Sequence, residues 1–322
     1  MNIAEIAKMA GVSSAAVSRY FNHGYISEQK RESIRKVVEK TGYRPSIQAQ
    51  TLRTKKTNMI GVIVPKIASG SIGKVVEGIL SELNRKGYQM LLAVAQNDPE
   101  MELKYLSSFY DNQVDGVILS GTVFTDEHEK MIKNASVPVV VVGQWFPGHC
   151  SVFHDDYHAT YDLTKTILER GRRKLGYIGA LLQDTATGQQ RYKGYCDAVC
   201  DMGYASLAGN FVTSDFTVSA GYERAGELLG RCGNLDGIVC ATDTMAIGAI
   251  QYLKNQHINV PGQILVAGHG DSDIARMMDP PLMTVHFSYE KSGVIAVQML
   301  MEQLGHEESV MKEVKLGYHI VA

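Results

Sequence analysis

No stretch of these 322 residues approaches 18 consecutive apolar side chains, and without one no membrane-spanning helix is expected. The first residues hold no basic segment followed by an apolar one, so no secretory signal is expected either. Cysteine is scarce. Five are present, an odd number without framework spacing, which reads as reduced thiols in a cytoplasm rather than a disulfide scaffold. The chain lacks a G-x-x-x-x-G-K-[ST] phosphate loop, a G-x-S-x-G nucleophile elbow and a G-x-G-x-x-G dinucleotide turn. Its ten histidines are scattered, and nothing sets a nucleophile beside a base. No enzymatic activity, cofactor or metal is therefore expected.

Two fragments need separate answers. The run His154-Asp155-Asp156-Tyr157-His158 has the residue types of a metal site. It stands where a strand passes into a helix, Asp155 and Asp156 suit helix caps, and no further ligands follow at metal spacing. Cys196 and Cys200 share a helix face, lack a second pair, and are expected as buried thiols.

The length suits two or three domains, and 45% hydrophobic content is enough for real cores. The net charge of -2 hides an asymmetry. Residues 1–57 carry a balance of +7 and the remainder one of -9. A small basic head on an acidic body suggests that the head meets a polyanion.

That head reads as three helices. Asn2 and Glu5 form a capping box, and Ile3, Ile6, Ala7 and Ala10 fall on one helical face. Gly11 ends the helix and permits a turn. Ser13 caps a second helix, about 14–21, with Val12, Val17 and Phe21 inward and Ser14, Ala15, Ser18 and Arg19 outward. Ser27 caps a third over about 28–41, with Ile34, Val37 and Val38 inward. Two helices about a glycine turn, braced by a third, define a helix-turn-helix domain. In that motif the second helix enters the major groove. Arg19 suits guanine O6/N7, Ser14 and Ala15 permit close approach to bases, and Ser13, Ser18 and Asn22 suit phosphates.

From Met59 the pattern becomes short apolar runs (59–64, 90–95, 116–121, 138–143; then 175–181, 237–242, 264–269) alternating with amphipathic helices. This is an α/β pattern of two doubly wound parallel-sheet lobes, covered on both faces. Ligands bind beyond the carboxyl ends of such strands, so two facing lobes share one cleft. Lys66, Ser69, Gln144, Trp145, Arg191, Phe216, Thr242, Asp243, Gly270 and Phe287 stand at those ends. Polar edges mixed with aromatic faces suit a sugar.

The string I-A-x-x-A-G-V-S-x-x-x-V-S-R-x-x-N resembles the helix-turn-helix of the lactose/galactose repressor (LacI) family, and the likeness continues through GYRPSIQAQTLRTKKTNMIGVIVP (42–64). The resemblance implies that residues 1–45 are the DNA-binding domain. Residues 46–57 are then a linker whose first part, Ser46–Arg53, becomes a hinge helix on DNA. Leu52 would wedge into the minor groove at the operator centre, with Ala49 one turn earlier on the same face. Eight residues hold no helix alone in water, so the same segment reads as a linker without DNA.

The body, 58–322, is similar to periplasmic sugar-binding proteins. The resemblance implies lobe one at about 58–157 and 288–313, and lobe two at about 158–287 and 314–322. Arg191 falls on the family's sugar-binding arginine and Phe216 on its stacking aromatic. Thr242-Asp243 replaces the usual Asn-Asp, and Gly270 stands where many sugar-binding members have Asp. DTATGQQRYKGY and CATDTMAIGA look most like the sucrose and trehalose operon repressors, some of which bind a sugar phosphate. Lys66 reads either as a contact for an anionic group or as a solvent-facing loop lysine.

The expectation is a transcriptional repressor of a sugar-utilisation operon, a homodimer or tetramer binding double-stranded operator DNA, controlled by a sugar or sugar-phosphate effector. A sugar receptor for transport, the alternative, has no use for residues 1–57.

Overall fold

The computed structural model describes residues 1–22, 24–43, 56–111, 114–305 and 310–322. Its contacts divide into two compact units, Met1–Thr57 and Asn58–Ala322.

The first unit contains α1 (Ile3–Ala10), α2 (Ser14–Phe21) and α3 (Glu28–Thr41). Asn2 Oδ1 accepts from Glu5 N at 3.0 Å while Glu5 Oε2 accepts from Asn2 N at 2.9 Å, closing the capping box. Gly11 sits at φ +65, a left-handed conformation that favours glycine, and the chain reverses there into α2. Ile6, Ala7, Ala16, Val17, Ile26 and Ile34 form the buried core, flanked by Val12, Phe21, Val37 and Val38. Full burial of residues such as Ile6, Val17 and Ile34 contributes about 1.5–3 kcal/mol each. Ser27 occupies the N-cap of α3, but its side chain makes no capping bond.

The second unit begins with β1 (Met59–Val64), α4 (Gly70–Lys86), β2 (Gln89–Val94), α5 (Pro99–Asp111), β3 (Gly116–Leu119), α6 (Asp126–Lys133), β4 (Val139–Val142) and β5 (Ser151–His154). It continues with α7 (Asp156–Glu169), β6 (Leu175–Gly179), α8 (Arg191–Asp201), β7 (Phe211–Thr213), α9 (Val218–Cys232), β8 (Gly237–Cys240), α10 (Asp243–Asn255), β9 (Leu265–His269), α11 (Asp273–Met277) and β10 (Met283–Phe287). It ends with α12 (Tyr289–Gly305), β11 (Glu313–Leu316) and β12 (Tyr318–Val321).

Two six-stranded sheets result, ordered β11-β5-β4-β3-β1-β2 and β12-β10-β9-β8-β6-β7. Every pairing in the first is parallel. In the second, β12 runs antiparallel to β10 and the rest are parallel. The central strands are buried along nearly their whole length because helices cover both faces. β2 departs from that expectation. It is the sheet's outer strand, and Leu91 lies exposed there.

The chain passes between lobes after His154, after Phe287 and at Gly317. The boundary expected near 313 falls inside β11, which pairs with β5 from Glu313 to Leu316. A single residue, Gly317, therefore separates a lobe-one strand from a lobe-two strand. Residues 185–190 add a π-helical turn that runs directly into α8, capped by Asp184, whose Oδ1 accepts from Thr187 N at 2.8 Å. The expected burial of both thiols on α8 is not met. The inward face of α8 carries Arg191, Gly194, Tyr195, Ala198 and Val199, which leaves Cys196 half-buried and Cys200 exposed on its flank.

Candidate functional sites: a helical head and an interlobe cleft

In the head, Ser14, Ala15 and Arg19 are exposed and Ser18 is half-buried. Arg19 makes no ion pair among the described residues, so its guanidinium keeps its five donors. Ser13 Oγ accepts from Ala16 N at 3.2 Å, which leaves its own O–H to donate. Asn22, expected on a phosphate, is exposed at the end of α2. Its Nδ2 donates to Ser18 O at 2.6 Å and lies 3.3 Å from Ser18 Oγ, so both amide hydrogens serve the end of α2. Tyr25 is 92% exposed just beyond α2. It lies outside any helical period, and sequence reasoning had no pattern by which to find it. Ala49 and Leu52 lie outside the described residues.

Between the two lobes is a cavity of about 500 Å³. Lys66, Ser69, Gln144, Arg191, Phe216, Thr242, Asp243 and Gly270, all expected at strand ends, stand in its wall. Two expected residues do not. Trp145 leaves the wall because β4 ends in a loop that carries it outward, 48% exposed, while Phe146 packs on Phe124 with ring centroids 4.7 Å apart. Phe287 is 2% exposed and lies beneath the wall. The Arg191 guanidinium rests 5.0 Å from its ring centroid, with His154 and His269 against the same ring. Its role is support, because the last residue of β10 points into the core where the chain leaves lobe two.

Arg191 is itself 6% exposed. Its Nε and Nη2 each lie 2.7 Å from Asp156 Oδ1, and Nη1 donates to Ala241 O. Burial opposes its charge, and Asp156 outweighs burial and holds the guanidinium protonated. Asp156, read from sequence only as a cap, is thus the partner of the expected ligand arginine. Asp155 does the capping. Nothing local links Asp156 to a residue 35 positions on.

The other polar groups are largely satisfied. Asp243 accepts from Ser272 N at 2.7 Å and Thr284 Oγ1 at 2.5 Å, and burial pushes its carboxyl upward. Gly268 makes room for it: a Cβ there would stand 2.5 Å from Asp243 Oδ1. Gln144 Nε2 donates to Gly121 O at 2.6 Å and Thr122 O at 2.8 Å, tying two loops of lobe one together. Burial pushes Asp184 up to about 6. Burial lowers His154 to about 4 and His269 to about 3, so both imidazoles are neutral at neutral pH. His269 Nδ1 faces Cys240 O at 2.9 Å, an atom that only accepts, so Nδ1 carries the proton and Nε2 faces Thr160 Oγ1 as acceptor. His154, His269 and Tyr289 also line the cavity. Lys66 is not a solvent-facing loop residue. Its Nζ lies 4.1 Å from the Phe216 ring centroid across the cleft, and burial lowers its pKa against the pull of Asp184 and Asp215.

Among the described residues, no group of three His, Cys, Asp or Glu is arranged to hold a metal, and no helix is long and apolar enough to cross a membrane. The geometry defines a class: a helix-turn-helix head followed by a two-lobed body with a ligand cleft. Residues 2–46 match the family described as bacterial regulatory proteins, lacI family, and residues 164–322 match a periplasmic binding protein-like domain. The chain thus joins a lacI-family helix-turn-helix domain to a periplasmic binding protein-like domain, and is a DNA-binding transcriptional repressor. Its partners are operator DNA and a small-molecule effector. The sucrose operon repressor of Staphylococcus xylosus is 29% identical over 307 residues, covering 95% of this chain and 94% of that protein. In fold, the chain is similar to the lac repressor dimer bound to operator and the anti-inducer ONPF, with a TM-score of 0.91, 19% identity, and coverage of 100% and 98%. The trehalose repressor from Escherichia coli gives a TM-score of 0.72 at 24% identity, covering 82% of this chain and 99% of its own.

Proposed function

We propose that this repressor answers to a sugar or sugar phosphate held in the interlobe cleft, and that it controls a sugar-utilisation operon as a cytoplasmic homodimer or tetramer. The observation that carries the reading is the cleft itself. Its wall mixes an aromatic face, Phe216, with hydroxyls from both lobes and carboxylates from lobe two in about 500 Å³. Rings stack on the C–H faces of a sugar and polar edges meet its hydroxyls. Arg191, Asp243, Thr242, Ser69 and Lys66 are the contacts this reading assigns. Gly270 leaves space, Gln144 orders the lobe-one loops, and Phe287 supports Arg191.

On DNA, a dimer sets two α2 helices into successive major grooves of a pseudo-palindrome. Arg19 reads bases; Ser14 and Ala15 permit approach; Ser13 and Ser18 meet phosphates. Residues 46–57 join head and body, with Ala49 and Leu52 as the minor-groove face of a hinge helix. The effector changes the lobe angle and shifts operator affinity by a coupling free energy of about 1–3 kcal/mol. A thermal-shift screen of sugars, sugar phosphates and nucleobases tests the reading. A sugar or its phosphate should raise the melting temperature, because a ligand bound only to the native state stabilises it. A rise with nucleobases and with no sugar of either form would overturn it.

A further inference from the structure

Three crossings join the lobes, and the third is the shortest. β11 of lobe one ends at Leu316, β12 of lobe two begins at Tyr318, and Gly317 alone lies between them. So short a crossing must follow any change in the angle between the lobes. It does not run free. Leu316 O accepts from Asp155 N at 3.0 Å, which lays the third crossing against the first. Beyond the glycine, Tyr318 Oη donates to Asp162 Oδ2 at 2.5 Å and fixes the start of β12 to α7 within lobe two.

The side chain of Asp155 faces both ways. Its Oδ1 accepts from His158 N at 3.4 Å and lies 2.9 Å from His158 Nδ1, on the first turn of α7 in lobe two. Its Oδ2 lies 2.9 Å from Lys315 Nζ, on the last strand of lobe one. By contrast, Lys312 pairs with Glu302 within lobe one, and Lys193 with Asp197 within lobe two. The cap that sequence assigns to Asp155 accounts for Oδ1 and leaves the Lys315 contact without a role.

We infer that Asp155 is a hinge clamp. His158 is its lobe-two arm and Lys315 its lobe-one arm, and together they position the lobes and bias the ligand-free chain toward one interlobe angle. Turning the lobes about Gly317 changes the separation of the two arms, so the clamp stretches or breaks as the angle changes. Lys315 is half exposed, and an exposed pair shifts a two-state balance by roughly up to fivefold. A bias of that size yields to a ligand that binds another angle better. Its regulatory meaning rests on the reading that lobe angle carries the effector's signal, but the clamp itself needs no ligand and its test uses none.

The chain supplies its own distance probes. Trp145, its one tryptophan, is exposed on lobe one, and Cys200 is exposed on α8 of lobe two. Time-resolved energy transfer from Trp145 to an aminonaphthalene sulfonate acceptor on Cys200 reads the interlobe distance and its spread. The full chain carries Cys196→Ser and Cys232→Ser, and is mixed with excess unlabelled Trp145→Phe chain so that each labelled chain reports on itself. Lys315→Met should widen the distribution, populating other angles up to about fivefold more. Asp155→Asn keeps a capping side chain and should do the same less strongly, and the double variant should go no further than Lys315→Met alone. Lys315→Arg should match wild type. Lys312→Met breaks an ion pair inside lobe one and should leave the distribution unchanged. A Lys315→Met distribution identical to wild type overturns the clamp. So does equal widening in Lys312→Met, which would mean a general loosening of this edge of lobe one.

Discussion

Arg19 and Arg191 are the same residue type in opposite conditions. Arg19 stands in solvent on a three-helix head, without an ion pair among the described residues. Arg191 lies buried between two sheets, held by Asp156 and a backbone carbonyl above an aromatic ring. A free guanidinium on a helix face is available to a macromolecule that brings its own acceptors. A buried one is part of the fold first, and any ligand it meets uses only the hydrogens left over. Removing the first should change binding and little else, whereas removing the second should change stability and binding together.

The largest effect tests the buried arginine. Arg191→Ala leaves Asp156 as an uncompensated buried charge and should destabilise the body by about 3–5 kcal/mol. The Asp156→Asn/Arg191→Gln double variant should recover a good part of that. Urea unfolding of the three proteins measures it. A loss in Arg191→Ala no larger than a surface substitution would mean that the ion pair is incidental to the fold.

The next effect uses pH. Burial lowers His154 to about 4 and His269 to about 3, so each is neutral in the folded chain and charges at about 6.5 when unfolded. Their contribution is fully present above about 6.5 and is lost as pH falls toward 4. Asp184 has the opposite sign. Its folded value of about 6 lies above an unfolded value near 3.8, so the native state holds that proton longer and gains stability as pH falls through this window. Asp184→Asn keeps a capping side chain but removes the gain. It should lose more stability than wild type between pH 7 and 4, by up to about 3 kcal/mol. Parallel stability curves would show that Asp184 titrates as an ordinary exposed carboxylate.

Arg19→Ala follows, at about 1–3 kcal/mol of specific operator affinity, with folding stability within about 0.5 kcal/mol of wild type. Gel shifts on operator and random duplexes measure it. Equal losses on both would place Arg19 on phosphates rather than bases.

The same contrast explains what could be read in advance. The head was legible residue by residue because its determinants are local: a capping box spans three positions, a glycine turn one, and a helical face repeats every three or four. The alternation of strands and helices was legible for the same reason, and strand ends located Lys66, Arg191, Phe216 and Asp243. What failed needed distance or direction. Asp156 meets Arg191 only after two lobe-two helices pack, and His269 meets Thr160 across 109 positions. Trp145 and Phe287 were placed by position along a strand end, which does not say which way a side chain turns. β5 and β7, of four and three residues, are too short to show a period.

The smallest prediction separates two serines that look alike in sequence. Ser13 and Ser27 each precede a helix of the head at the N-cap, each with extended backbone. Ser13 Oγ accepts from Ala16 N, satisfying one of the amides that the first turn of α2 leaves without a helical partner. Ser27 makes no such bond, so its hydroxyl faces water in folded and unfolded chains alike. Ser13→Ala should therefore cost about 1 kcal/mol, within the range of about 0.5–2 for lost caps. Ser27→Ala should cost no more than a few tenths, as at an ordinary surface position, about ±0.5 kcal/mol. Thermal unfolding of residues 1–57, a compact unit by its own contacts, or of that unit's transition within the full chain, measures both. If Ser27→Ala cost as much as Ser13→Ala, the hydroxyl of Ser27 would be capping α3 in solution, and the start of α3 would be held by its side chain as that of α2 is.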